Sequence, residues 1–364
     1  MQTYEQKSKE ARNYRLQSTV FIGIDVHLKQ WNVCIIYDGR TYKPFQQPPT
    51  AAALSTYLKR NFPNMTYLSA YESGFCGFGP HFDLLSEGIN NIVFNAADIA
   101  SKGKELRRKS DSVDAKKIAR ELAKGELQPV YTPSWEKICT RSLSRLRSLT
   151  VNSIARLKIQ IRHFLHYYHI EIPECFQSKH WTRAFIAWIR EVCTYERIGE
   201  AALEAKILLG RLCQQMEELK SINRKIIEVM HTPEYEESYN LLLSVPGIGA
   251  CTASLLLLEV GDLSDFSSIE KFCSYIGLVP DYKRSDDDEY GTCITHRKHS
   301  ELRKKFIECA WRAVAVDETM QRCFAKWRRK MPHNKAIIRV ACKLAKCVKS
   351  ILKNRKKYEA RHLE

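Results

Sequence analysis

No apolar run in this 364-residue chain approaches the roughly 20 residues a membrane helix needs, so no membrane partner is expected. The first residues, MQTYEQKSKEARNYRLQ, lack the apolar core of a secretory signal, which makes a cytoplasmic location the expectation. A C-x-x-C pair is also missing. Thirteen cysteines are present, an odd number, and the nearest two, Cys342 and Cys347, have four residues between them. That spacing speaks against a disulfide framework and a zinc ribbon, and reads most cysteines as small buried apolar residues in a reducing compartment. Acid is the other shortage. Lys and Arg number 58 against 41 Asp and Glu, a formal charge of +17, and no acid stands between Arg141 and His163 or between Gln321 and Tyr358. An excess of this size points to a polyanion, nucleic acid before a membrane surface.

Against that background the few acids in apolar surroundings stand out. VFIGIDVHLKQWNVCIIY, residues 20–37, reads as two strands; Asp38-Gly39 is a turn signal, and RTYKPFQQ follows as a third strand. Asp25 interrupts the first apolar run, and a strand carboxylate is costly to bury unless something pairs with it. PTAAALSTYLKRNF is a helix, and MTYLSAYESG is a strand ending at Glu72 before the glycine-rich SGFCGFGP. A helix near 80–87 and the strand NNIVFNA complete a β-β-β-α-β-α-β order, which suits a mixed sheet covered by helices. Sites in such sheets collect at the carboxyl ends of strands.

KSDSVDAKKIARELAKG then starts a helix capped by Ser110 or Asp111, with Asp111 and Asp114 on one face. Each acid alone has a plainer reading: a cap or turn for Asp25, a favourable interaction with the helix dipole for the two aspartates. Together, Asp25, Glu72, Asp111 and Asp114 form a set of hard oxygen ligands suited to Mg²⁺ or Mn²⁺. Two such ions about 4 Å apart would clamp the attacking and leaving oxygens of a phosphoryl transfer. Lys102, Lys104, Arg107, Arg108 and Lys109 would hold phosphates beside them.

The middle of the chain is helical in pattern. From Trp135 to about His169, Leu143, Leu146, Leu149, Ile154, Leu157 and Ile161 mark an apolar seam, with Arg141, Arg145, Arg147, Arg156, Lys158 and Arg162 on other faces as a basic surface. A second long helix over residues 197–230 could pair with the first as an antiparallel coil. Next, LLLSVPGIGACTASLLLLEVGD places Pro246-Gly247-Ile248-Gly249 between two apolar helices, a helix-hairpin-helix pattern. Its backbone N–H groups at Gly247 and Gly249 would suit DNA phosphate; a plain αα-turn is the alternative. A loop carries Ser285 and the acids Asp286 to Glu289, THRKHSELRKK opens a basic helix, and Ala336, Val340, Leu344 and Val348 give a closing basic helix its buried side. Arg284, Arg297, Lys298 and Arg303 join the candidate nucleic-acid contacts. The expected domains are 1–130, α/β; 131–235, a helical coiled-coil link; and 236–364, mostly helical.

The ordered set FIGIDVHLKQWNVCI, YESGFCGFGPHFDLL, KSDSVDAKKIA, RSLSRLRSLTVNSIARLKIQIRHFL, SVPGIGACTASLLLLEVGD, THRKHSELRKKFIECA and MPHNKAIIRVACKLAKCVKSILK resembles the DEDD-type transposases of the insertion-sequence 110 family over most of the chain. The resemblance implies a RuvC-like first domain of RNase H fold, with Asp25, Glu72, Asp111 and Asp114 as a divalent-metal tetrad. It also implies a C-terminal serine, matched by Ser285, that attacks DNA and forms a transient phosphoserine. The family pattern usually has glycine after that serine, where this chain has Asp286.

Double-stranded DNA at element ends and target, a structured bridge RNA as guide, and a homo-oligomer, dimer or tetramer, with a composite site are further implications, in a prokaryotic cytoplasm near the nucleoid. Tyr282 and Tyr290 are rival nucleophiles, but no Arg/His constellation of a tyrosine recombinase accompanies them. Two other functions stay open: a RuvC-like nuclease that uses water, and a non-catalytic basic nucleic-acid-binding protein.

Overall fold

The computed structural model describes residues 18–95, 111–177, 181–261, 263, 266, 268–285, 288–295 and 298–360; the side chains of residues 111, 112 and 281–293 lie outside that description. The chain divides into two units, Met1–Pro133 and Ser134–Glu364.

The first unit is built on the apolar stretches already noted. β1 (Thr19–Val26) and β2 (Trp31–Tyr37) form an antiparallel hairpin; β3 (Arg40–Thr41) and β4 (Phe45–Gln47) both pair with β2. The expected third strand is thus split in two, with Pro44, which has no N–H for a ladder, in the break. α1 (Ala51–Asn61) starts at Thr50, whose Oγ1 accepts from Ala53 N. β5 (Thr66–Glu72) lies parallel to β1, and after α2 (Gly79–Ser86), β6 (Asn90–Phe94) lies parallel to β5. The sheet order is β3-β2-β1-β5-β6, with β4 beside β2.

Strand alternation gives this mixed sheet two buried faces. Ile22, Ile24, Val33 and Ile35 pack with Leu54 and Leu58 of α1. The other face is covered by α3 (Asp111–Lys124), whose Ala115, Ala119, Ile118 and Leu122 meet Cys34, Ile36, Ala70 and Phe94.

Among its described residues, the second unit is helical apart from one hairpin. α4 (Trp135–Tyr167) is capped by Ser134, whose Oγ accepts from Lys137 N. A 3-10 turn at Glu174–Phe176, α5 (Arg183–Val192) and the short α6 (Tyr195–Ile198) lead to Gly199, whose φ of +57° breaks the helix before α7 (Ala201–Met230). α4 and α7 pack along each other. Arg147 bonds Asn223 at one end, and Ile161 and Leu165 share a cluster with Ala205 and Leu209 at the other, so the pair is antiparallel.

A second, larger cluster is built by α8 (Glu236–Leu243), α9 (Ala250–Glu259), α10 (Ile269–Ile276), α11 (Ser300–Val316), α12 (Glu318–Arg328) and α13 (His333–Asn354). Ala336, Val340, Leu344 and Val348 are buried in it, as their helical spacing required. Between α10 and α11, β7 (Pro280–Ser285) and β8 (Asp288–Ile294) pair antiparallel. Among the described residues, no helix is long and apolar enough to cross a membrane.

Candidate active site

The sheet brings two of the predicted carboxylates together by register. β1 and β5 run parallel, with Ile24 beside Tyr71, so one further step places Asp25 alongside Glu72 at the carboxyl ends of adjacent strands. Across the hairpin, Asp25 pairs with Asn32. Neighbours in register share a face of the sheet, so Asn32, Asp25 and Glu72 form one row.

That face is the one α3 covers. Asp25 lies two residues beyond Gly23, and a Cβ added at Gly23 would meet Ala115 O at 2.2 Å and Ala119 N at 2.4 Å, so the helix backbone lies directly on the strand. Phe21, two residues earlier, packs against the clusters that contain Ala119 and Leu122. α3 therefore runs back along β1, and its first turn points toward Asp25. Asp114, one residue before Ala115, is exposed there, and Asp111 opens the helix. The Asp111 side chain lies outside the described residues, as do Lys102, Lys104, Arg107, Arg108 and Lys109. Among the described residues, no group of three His, Cys, Asp or Glu is gathered closely enough to hold a metal. Asp25 is a quarter exposed, and its Oδ2 lies 3.0 Å from His27 Nε2.

Ser285 ends β7. Its register partner is Asp288; residues 286 and 287 lie outside the described residues. The expected loop is a hairpin, with Arg284 opposite Glu289, Lys283 opposite Tyr290 and Tyr282 opposite Gly291. The sequence reading missed it because the acidic run hides the strand pattern of DEYGTCI. Side chains here, including Ser285, Arg284 and the two tyrosines, are outside the description, as is Arg297.

Of the remaining nucleic-acid candidates, Lys298 is exposed. Gly247 and Gly249 do sit in a tight turn between α8 and α9. Gly247 faces inward, however: with φ at +85°, a Cβ there would meet Cys309 O at 2.4 Å, so its missing side chain lets the turn close onto α11. Gly249 caps α9 and is exposed. Arg303 is a correction. It is only 8% exposed and donates from Nη2 to the carbonyl of Thr295, just beyond β8, so it braces the foot of the serine hairpin rather than facing a ligand.

The structure also reveals a buried polar centre in the second unit that the sequence reading passed over. Glu259, 2% exposed at the end of α9, accepts from Ser144 Oγ at 2.5 Å and has Arg141 Nε at 3.5 Å, Arg145 Nε at 3.7 Å and His299 Nε2 at 3.2 Å. Burial pushes its carboxyl up, but the contacts from His299, Ser144 and Arg145 outweigh it and hold the pKa below the usual value. His299 Nδ1 accepts from Leu302 N to cap α11, which leaves its Nε2 as the protonated nitrogen facing Glu259. Arg141, expected on the basic surface of α4, is therefore buried, while Leu146 and Leu149 of the expected seam are 48% and 67% exposed. The signal was available: Glu259 interrupts SLLLLEVGD as Asp25 interrupts VFIGID.

Comparison with known proteins places both units. Residues 22–170 match the transposase family model of the DEDD, IS110 type, and residues 239–325 match the model described as Transposase IS116/IS110/IS902 family. The chain is similar to a putative transposase, y4qE, of Sinorhizobium fredii: 25% identical over 80% of this chain and 71% of that protein. It is 26% identical to the transposase for insertion sequence element IS1328 of Yersinia enterocolitica, over 56% of this chain and 58% of that protein. A shorter stretch, 15% of this chain and 17% of the relative, is 43% identical to the pilin gene-inverting protein of Moraxella bovis.

Proposed function

The chain belongs to the IS110 family of transposases, and from that premise we propose that it cuts and rejoins DNA strands through a transient phosphoserine at Ser285, with a divalent cation at a four-carboxylate site of an RNase H-like first unit. The observation that carries this reading is the row at the strand ends: Asp25 and Glu72 in adjacent register, under the helix that begins with Asp111 and Asp114. Carboxylates brought to adjoining strand ends repel one another, and a cation would relieve that repulsion. The donors are all carboxylate oxygens, which fits Mg²⁺ or Mn²⁺ over softer metals. Asp25, Glu72, Asp111 and Asp114 would hold the ion, and when bound it would supply charge stabilisation at the scissile phosphate.

Ser285 lies within the matched stretch 239–325 and ends β7, the first strand of its hairpin. Its Oγ forms a bond to phosphorus and the bond from phosphorus to one sugar oxygen breaks, leaving a free hydroxyl on one strand end and a phosphoserine on the other. A hydroxyl from a second strand then attacks the phosphoserine and releases the serine. One ester replaces another at each stage, so neither ATP nor a redox cofactor is consumed. A relative whose name states gene inversion favours this over hydrolysis, because inversion requires both ends to be rejoined. The unbalanced basic charge suits the DNA and, as the family resemblance implies, a structured guide RNA.

The test is trapping of a covalent adduct. The protein is incubated with Mg²⁺, element-end DNA and host RNA, denatured, and examined for protein-bound DNA, in wild type, Ser285→Ala and Asp25→Asn. Adduct in wild type alone is expected. Cleavage that survives in Ser285→Ala without adduct would instead mean a water-using nuclease. Unchanged activity in Asp25→Asn and Glu72→Gln would mean a binding protein.

A further inference from the structure

Asn32 is 3% exposed on β2, and its Nδ2 is buried without a hydrogen-bond partner. Few buried amide groups are left so, because each forfeits its hydrogen bonds to water and gains nothing in return. The next residues on that face, Cys34 and Ile36, are apolar and buried. An apolar side chain would therefore suit position 32 on packing grounds alone. What distinguishes position 32 is its neighbour: it stands opposite Asp25, in the row that continues to Glu72. An N–H suits an acidic neighbour; the same amide rotated by half a turn would bring its oxygen to that place and repel the carboxylates.

We infer that Asn32 is a positioning residue for Asp25 in the metal-loaded protein. In the structure, Asp25 Oδ2 is engaged by His27 at 3.0 Å. A bound cation would draw on the Asp25 carboxylate that His27 contacts, and the buried N–H of Asn32 Nδ2 would then help to orient that carboxylate. Donors of this kind fix the orientation of a ligating carboxylate, and their loss typically weakens metal binding about 10–100-fold. The inference rests on the reading of Asp25 and Glu72 as metal ligands, and it assigns opposite roles to Asn32, which supports the loaded arrangement, and His27, which competes with it.

The experiment measures Mn²⁺ binding to the full chain by the paramagnetic resonance of free Mn²⁺, and thermal unfolding in a chelator. Asn32→Leu, which keeps the shape of the side chain, is expected to weaken Mn²⁺ binding about tenfold or more. Its metal-free Tm is expected to stay unchanged or rise, because an unpaired buried amide has been removed. His27→Ala is expected to tighten binding, and Asp25→Asn to abolish it. Asn32→Ala repeats the test should the leucine variant not fold. Loss of binding in Asp25→Asn together with wild-type binding in Asn32→Leu overturns the role of Asn32 and leaves the metal site standing. Wild-type binding in Asp25→Asn overturns both. A lower metal-free Tm in Asn32→Leu, matching its loss of binding, makes Asn32 a structural residue and also overturns the inference.

Discussion

At the scale of single residues, the candidate site depends on a side chain that is absent. Gly23 lets α3 lie on β1 with backbone atoms 2.2 and 2.4 Å from where a Cβ would stand. Those atoms belong to the main chain of a helix and cannot rotate away. Gly23→Ala must therefore lift α3 from the sheet, and Asp114, next to one of the clashing residues, moves with it. The expected cost is about 2–3 kcal/mol of unfolding free energy, read by urea denaturation, with a parallel loss of Mn²⁺ binding. Binding lost with stability intact would show that α3 shifts without strain. FIGID revealed Asp25 as an anomaly but left the glycine before it silent, because the partner that makes Gly23 necessary lies more than 90 residues further along. Gly247 teaches the same: the turn was legible in VPGIG, yet the surface it closes against, Cys309 and Ala313 of α11, was not.

At the scale of elements, α4 changes its buried face along its length. Its second half buries Ile154, Leu157 and Ile161 as the apolar periodicity required, but its first half buries Arg141, Ser144 and Thr150. At Arg141 and Ser144 the reason is Glu259. A carboxylate sealed at the end of α9 requires cations and hydroxyls, and these override the leucines of the same turns. Periodicity predicts a face only where the opposing surface is apolar, which is why the middle helices were legible as helices and the first half of this seam was not. Glu259→Ala would leave Arg141 buried without its counter-charge and is expected to cost about 3–5 kcal/mol in the second unit, measured by chemical denaturation.

The pH dependence follows from the same contacts. The folded pKa of Glu259 lies below the ordinary 4.5, so its ionised form is the one the fold favours. The stabilisation is fully present above pH 4.5 and is lost as pH falls through the lower folded value. The stability gap between wild type and Glu259→Gln should therefore be constant at neutral pH and close in acid. A gap that widens in acid would mean the carboxyl is protonated in the folded chain.

At the scale of the whole molecule, the question is where a net charge of +17 meets its polyanion. α13 offers a defined surface in the second unit. Its buried side is apolar, and Lys335, Arg339, Lys346 and Lys353 are all exposed on the opposite side. At 3.6 residues per turn these four fall within about 40° of one another and span about 27 Å along the axis. Lys343 and Lys349 are instead turned to the carbonyls of Thr319 and Phe266, which leaves the stripe narrow and straight. A straight row of cations fits the backbone of a duplex better than a compact anion, and each phosphate it neutralises releases counterions. The logarithm of affinity for a 30-base-pair duplex should then fall with the logarithm of salt concentration at a slope near −0.9 per contact. Replacing all four residues by glutamine should flatten that slope by up to about 3.6, uniformly across DNA sequences, in fluorescence-anisotropy titrations. Replacing Lys102, Lys104, Arg107, Arg108 and Lys109 makes the contrasting variant. A slope that flattens only in this second variant would assign the dominant phosphate contacts to the basic stretch 102–109 and leave the α13 stripe a solvated face. Flattening in both would mean that both units contribute phosphate contacts.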